Sequence, residues 1–265
     1  MGVGVSLRRR IGNSGQEMKR VANGEWRVGK TEPRSRVSNY SLFAIRYSLL
    51  AALSLSGAYA SAQDRPAAFV DAATVVPRLI VEMRYAGSHN FVGRPIEGYQ
   101  APRCLLTREA AAALAEVARD VAPRGLAVKV FDCYRPVRAV MNFVRWARDL
   151  NDRAAKGEFY PDVDKRTLFR DGYIASHSGH SRGSTMDLTL ARSDGTELDM
   201  GTSFDFFSPK SWTADPTVSP EQHANRMLLA AAMRRRGFRG YDSEWWHFTL
   251  RGEPFPDTYF DFPVR

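Results

Sequence analysis

Histidine and cysteine are scarce in this 265-residue chain, with five of the first and two of the second. Cys104 and Cys133 stand in no Cys-x-x-Cys spacing, so a thiolate zinc site has no sequence sign here. No apolar run is long and pure enough to be a convincing membrane-crossing helix, which needs roughly 20 residues. From Ala67 onward there is no repeat, no Gly/Ser-rich linker and no low-complexity tract, and no glycine-rich phosphate loop follows a strand-like segment. These absences argue against solenoids, tandem domains joined by flexible linkers and doubly wound nucleotide-binding folds.

Acidic residues are sparse at the N-terminus. Residues 1–46 carry ten Lys or Arg against three Glu, so that stretch holds seven of the nine net positive charges. The remainder is close to neutral, and a nucleic-acid partner loses its main support. Behind the basic stretch lies Tyr47-Ser-Leu-Leu-Ala-Ala-Leu-Ser-Leu-Ser-Gly-Ala-Tyr-Ala-Ser-Ala62, an apolar run ending in small residues. This is the outline of a secretory signal peptide, with cleavage at Ala58-Tyr-Ala60 or Ala60-Ser-Ala62. An n-region of this length is atypical, so translation starting at Met18 and an uncleaved anchor are the alternatives. The expected division is a basic extension and signal peptide over 1–62 and one domain over 63–265, periplasmic, with no stable membrane span once the signal is removed. Export makes a disulfide between Cys104 and Cys133 possible, contributing on the order of 3 kcal/mol; two free buried thiols are the alternative.

Within the domain, Thr107 can cap a helix over 108–122, Pro136 can open one over 137–150, and Ser219-Pro-Glu-Gln222 reads as a capping box for a helix ending at Gly237. Ala127–Phe131, Thr185–Leu190 and Trp246–Leu250 are strand-like. Strands and helices do not alternate regularly. The expected fold is α+β, a single domain with a central, mainly antiparallel sheet flanked by helices. The stretch 154–173 reads as an irregular loop that helps wall a substrate pocket.

Three of the five histidines fall in or beside two short segments, Ser178-Gly-His180-Ser-Arg-Gly-Ser-Thr-Met-Asp187 and Glu244-Trp-Trp-His247. Together these supply two imidazoles, a carboxylate and a spare glutamate. That is the inventory of an open zinc site, in which His180, Asp187 and His247 hold the ion, a fourth position is left for water, and Glu244 takes a proton. A His177-x-x-His180 pair is a competing pattern that leaves Asp187 unexplained. Glu244 and His247 are an odd number of residues apart, so a regular strand would aim them at opposite faces; a turn or bulge is expected there. His89 and His223 read as surface or helix-face residues. Trp245 and Trp246 read as packing. Arg135, just ahead of Pro136, is held on a rigid element and could steady an oxyanion or form an ordinary ion pair.

Asp132-Cys-Tyr-Arg135-Pro-Val-Arg-Ala-Val, His180-Ser-Arg-Gly-Ser-Thr-Met-Asp187-Leu-Thr-Leu and Glu244-Trp-Trp-His247-Phe together resemble the zinc D-alanyl-D-alanine dipeptidases. These belong to a wider group of peptidoglycan-directed zinc peptidases with a Ser-x-His-x-x-Gly-x-Ala-x-Asp signature. Thr185 departs from its alanine. The resemblance spans about 69–260. It implies one zinc ion per chain on His180, Asp187 and His247, with Glu244 as base and Arg135 at the transition state. Ser178 falls at the signature's leading serine. Phe204-Asp205-Phe206 resembles the segment whose aspartate binds the substrate's free amine, which makes Asp205 the candidate for that role. The implied activity is hydrolysis of the small dipeptide D-Ala-D-Ala in cell-wall turnover. The alternatives are a D,D-carboxypeptidase or endopeptidase acting on stem peptides and a non-catalytic zinc-binding module.

Overall fold

The computed structural model describes residues 64–265, together with two three-residue strands, β1 (Met18–Arg20) and β2 (Trp26–Val28), paired antiparallel. The apolar run 47–62 and its cleavage sites lie outside the described residues.

Residues 64–107 supply three short strands, β3 (Phe69–Asp71), β4 (Ile80–Val81) and β5 (Leu105–Thr107). β3 and β5 pair antiparallel as a separate ribbon. Helix α1 (Arg108–Val121) starts where expected, because the Thr107 hydroxyl accepts a hydrogen bond from Ala110 N–H. It leads through a turn at Gly125 into β6 (Leu126–Asp132), and α2 (Val137–Arg148) follows. Pro136 sits one position earlier than expected, at the N-cap, with extended backbone. The stretch 154–173 is less irregular than its composition implies: it contains a one-turn helix, α3 (Lys156–Phe159), and a 3-10 turn over Lys165–Thr167. Then come β7 (Thr185–Arg192), α4 (Pro220–Arg235), β8 (Phe238–Tyr241) and β9 (Glu244–Leu250). The Ser219/Gln222 capping box is formed at the start of α4.

The central sheet runs β4-β6-β7-β9-β8. Every neighbour pair is antiparallel except the edge strand β4, which lies parallel to β6. The fold is therefore α+β with a mainly antiparallel sheet. α1 packs on β6 and against α4, while α4 packs on β8 and β9. The apolar side chains of the helices and the sheet join one core, in which Leu114, Val130, Leu188, Leu229 and Phe238 are fully buried. Among the described residues no helix is long and apolar enough to cross a membrane.

Strand register does most of the positioning. Asp187 on β7 stands directly opposite His247 on β9, so the two side chains share a face. On the other side of β7, Asp187 faces Asp132 of β6 across a register shift between Val130 and Asp132. Val130 pairs with Leu188, which points away from Asp187; without the extra residue Asp132 would point away as well. The irregularity thus brings a second carboxyl-bearing residue to the same face.

Candidate metal centre and active site

His180 reaches the site from a 3-10 turn, Gly179–Arg182, just ahead of β7. The Ser178 hydroxyl caps the turn by accepting from His180 N–H at 3.3 Å. Gly183 closes it with φ of 83°, and a Cβ at that position would run into the Phe69 ring. The His180 ring is fully buried. Its Nδ1 lies 2.7 Å from the Cys133 carbonyl, which can only accept, so Nδ1 carries the hydrogen and Nε2 presents a bare lone pair.

That lone pair points into a tight group. His180 Nε2 is 3.3 Å from His247 Nδ1 and 3.3 Å from Asp187 Oδ2, and His247 Nδ1 is 3.1 Å from Asp187 Oδ1. The three potential ligand atoms all lie within 4.8 Å of one another. Asp187 Oδ1 is buried and accepts no hydrogen bond. A buried carboxylate oxygen without a donor, beside an imidazole with its lone pair exposed, fits a divalent cation held by His180, Asp187 and His247. His177, the competing ligand, is outside this group; it lines the cavity and stacks edge-on with Tyr259.

The electrostatics agree with the donor set. Burial would raise the Asp187 carboxyl, but the His180 and His247 imidazoles outweigh it and hold the group ionised. Burial pushes the His180 ring down, toward the neutral form a ligand needs. Burial also works against a charged His247, yet Asp187 and Glu244 override it and lift the ring. Acids that draw a proton to this point would draw a divalent cation more strongly.

Glu244 is the first residue of β9, and its Oε2 stands 3.4 Å from His247 Nδ1. The expected irregularity is present: Gly240 pairs with Phe248 but Tyr241 pairs with Glu244, so three residues of β9 bulge between them. That bulge lets Glu244 and His247 face the same cavity. Burial, with Asp187 adding to it, raises the Glu244 carboxyl, while 28% of its side-chain surface remains open. A reachable carboxyl beside the ligand cluster is suited to proton transfer.

Arg135 donates to Asp132 Oδ2 at 2.9 Å and reaches Asp187 Oδ2 at 3.4 Å and Ser178 Oγ at 3.5 Å. Its guanidinium carbon lies 5.1 Å from the Tyr85 ring centre. It is an ion-pair member, and its side chain also lines the cavity. Asp205, with left-handed backbone at φ of 61°, accepts a hydrogen bond from the Tyr85 hydroxyl at 2.8 Å. Burial, reinforced by Asp187, pushes its carboxyl well up.

Arg135, Ser178, Asp187, Asp205, Glu244 and His247 all line one cavity of about 250 Å³. Of the stretch 154–173 only Gly172 and Tyr173 line it, followed by Ile174 and Ala175 and joined by Phe143 of α2, whereas α1 and α4 contribute nothing. Trp246 also lines it and packs edge-on against Phe204, while Trp245 is buried with its N–H on Thr202 Oγ1. His223 is exposed on α4, and His89 is an exposed partner of Glu158. Tyr85, Tyr99 and Asp132 were not singled out by sequence. Asp132 is fully buried, holding Tyr99 at 2.6 Å and Arg135, and its spacing to Arg135 was the one available sign. Tyr85 has none, since its partner is 120 residues away. Cys104 and Cys133 are placed at disulfide distance, with sulfurs 1.99 Å apart.

Two imidazoles and a carboxylate gathered around one point, with a raised glutamate beside them, are the side chains of a zinc metallopeptidase. The family model for D-ala-D-ala dipeptidases, Peptidase M15, matches residues 65–265, and the chain belongs to that family. It is 42% identical to a D-alanyl-D-alanine dipeptidase of Enterococcus faecium over 69% of this chain and 92% of the relative. A Streptomyces coelicolor D-alanyl-D-alanine dipeptidase is 41% identical over 74% of this chain and 97% of its own length. One from Escherichia coli is 38% identical over 68% and 83%. A solved vancomycin-resistance D,D-pentapeptidase in complex with Zn(II) aligns with TM-score 0.35 and 15% identity over 65% of this chain and 86% of its own, too loosely to bear on this site.

Proposed function

We propose that this chain hydrolyses free D-Ala-D-Ala to two D-alanines, using one zinc ion held by His180, Asp187 and His247. The observation that carries the reading is that Glu244 and Asp205 stand on the wall of one small cavity together with Asp187 and His247. A cavity of about 250 Å³ lies below the roughly 300–1,000 Å³ of ordinary small-molecule sites, which suits a dipeptide.

When bound, zinc would supply Lewis-acid polarisation of the scissile carbonyl. Glu244 accepts a proton from the attacking water as the oxygen–carbon bond forms, and returns it to the leaving amine nitrogen as the carbon–nitrogen bond breaks. Arg135, fixed by Asp132, presents its remaining N–H groups to the oxygen on which negative charge develops. Asp205 and the Tyr85 hydroxyl receive the substrate's ammonium. An ammonium restores the charge that burial disfavours on Asp205, whereas an acylated nitrogen leaves that carboxyl without a cation. Ser178 offers its hydroxyl to the same cavity and holds the turn that carries His180.

The basic segment and apolar run over 1–62 support export, and the mature enzyme is proposed to act in the periplasm on dipeptide released from the cell wall. The test is chelator-stripped protein titrated with zinc. Release of D-Ala should return and saturate at one equivalent. Full activity in the stripped, metal-free protein would contradict the reading.

A further inference from the structure

The Cys104–Cys133 pair lies against the metal centre. Cys133 is the first residue after β6, where sheet pairing has ended, and its carbonyl is the acceptor for His180 Nδ1 at 2.7 Å. Both sulfurs are buried. Cys104 immediately precedes β5, and its carbonyl accepts from Ala72 N–H at 2.8 Å, so this half of the pair is anchored to the β3–β5 ribbon. Past Cys133 the segment is tied by backbone bonds from Tyr134 N–H to the Leu105 carbonyl at 2.9 Å and from Arg135 N–H to the His180 carbonyl at 3.3 Å. The Tyr134 hydroxyl, donating to the Phe262 carbonyl at 3.0 Å, and the Arg135 side chain on Asp132 tie it as well. The bridge is the one covalent tie, and it sits on the residue whose carbonyl meets His180.

We propose that the Cys104–Cys133 bridge is a positioning device for the metal site: it holds the Cys133 carbonyl where it fixes the tautomer and orientation of His180. The inference rests on His180 being a zinc ligand. A carbonyl that drifts would leave Nδ1 with only the more distant Asp132 Oδ2 at 3.4 Å, loosening the hold on ring orientation and tautomer and so on the Nε2 lone pair the ion needs. Outer partners of this kind typically govern metal affinity by about 10- to 100-fold. The bridge thereby couples zinc affinity to an oxidising compartment, and it acts through backbone placement with no thiolate ligation.

The experiment compares zinc affinity, by competition against a chromophoric chelator, in wild type and in the double variant Cys104→Ala/Cys133→Ala. Leu114→Ala, in the buried face of α1 away from the cavity, serves as a control destabilised by a known route. The expected result is a roughly tenfold or greater loss of affinity in the double variant at a temperature where circular dichroism shows all proteins folded, with little change in Leu114→Ala. Nitrogen-15 shifts of the His180 ring should show loss of the single Nδ1–H tautomer in the metal-free double variant only. Cys104→Val/Cys133→Ala, which fills the space better, should behave the same way. Unchanged zinc affinity with only a lowered melting temperature would overturn the proposal, leaving the bridge as a staple. Failure of both double variants to fold would overturn it too, because the bridge would then serve the whole fold. Absence of zinc binding in wild type would instead remove the metal reading itself.

Discussion

The Tyr85 hydroxyl donates to Asp205 Oδ2 at 2.8 Å, and both side chains are almost wholly withdrawn from solvent, at 1% and 6% exposure. Burial disfavours the charged form of this carboxyl, and an ammonium hydrogen-bonded to it would favour that form. Asp205→Asn should raise KM for D-Ala-D-Ala by about 10- to 100-fold, the loss expected of a charged hydrogen bond. Tyr85→Phe should do the same more weakly, with kcat less affected. Steady-state kinetics of the two variants check this, and an unchanged KM in Asp205→Asn would place the ammonium elsewhere.

Glu244→Gln should retain zinc and lose turnover by about 100- to 10,000-fold, the usual contribution of a positioned acid–base group. Metal content and kcat measured on one sample decide it. Loss of the ion in that variant would make Glu244 a ligand.

Arg135→Lys keeps the charge but gives up the planar fork that holds Asp132 while facing the cavity. A fall in kcat of roughly 100-fold with little change in KM is expected, as for other donors to a developing oxyanion. A change confined to melting temperature would reduce Arg135 to its ion pairs.

The Lys129 ammonium bridges Glu82 at 2.5 Å and Glu197 at 2.8 Å. Burial works to raise Glu82, but Lys129 and Arg84 outweigh it and hold the carboxyl below its usual range. Burial works to lower Lys129, but Glu197 and Glu82 lift it above the usual lysine range. A lowered carboxyl stabilises the fold above its unfolded value and loses that contribution as pH falls through the folded one. A raised lysine stabilises it below the ordinary lysine value and loses that contribution as pH rises through the folded one. Lys129→Met should therefore cost on the order of 2 °C of melting temperature at neutral pH. The difference from wild type should shrink toward pH 4 and below. Thermal melts across pH check it; a difference that grows in acid would reverse the sign.

The parts of the site that sequence made legible are those concentrated in short segments. His180 and Asp187 are seven residues apart, and Glu244 and His247 are three apart, so their residue types could be read together. The helices were legible because Thr107 and Ser219 cap them with side chains that have few other uses in such positions. Tyr85 was not, because a tyrosine on a 3-10 turn acquires its role only when the fold brings Asp205 to it. Nor was β4, whose two residues are too few to show a period. For Asp132 the spacing to Arg135 was a sign, but the register shift that turns it toward Asp187 has none in the local sequence.

The most direct test of a small, amine-demanding metallopeptidase site is the ratio of kcat/KM for D-Ala-D-Ala to that for N-acetyl-D-Ala-D-Ala, measured on zinc-loaded wild type. A preference for the free dipeptide of at least about 100-fold is predicted, falling sharply in Asp205→Asn. Equal or faster cleavage of the acetylated compound would contradict it and favour a peptidase acting on wall stem peptides.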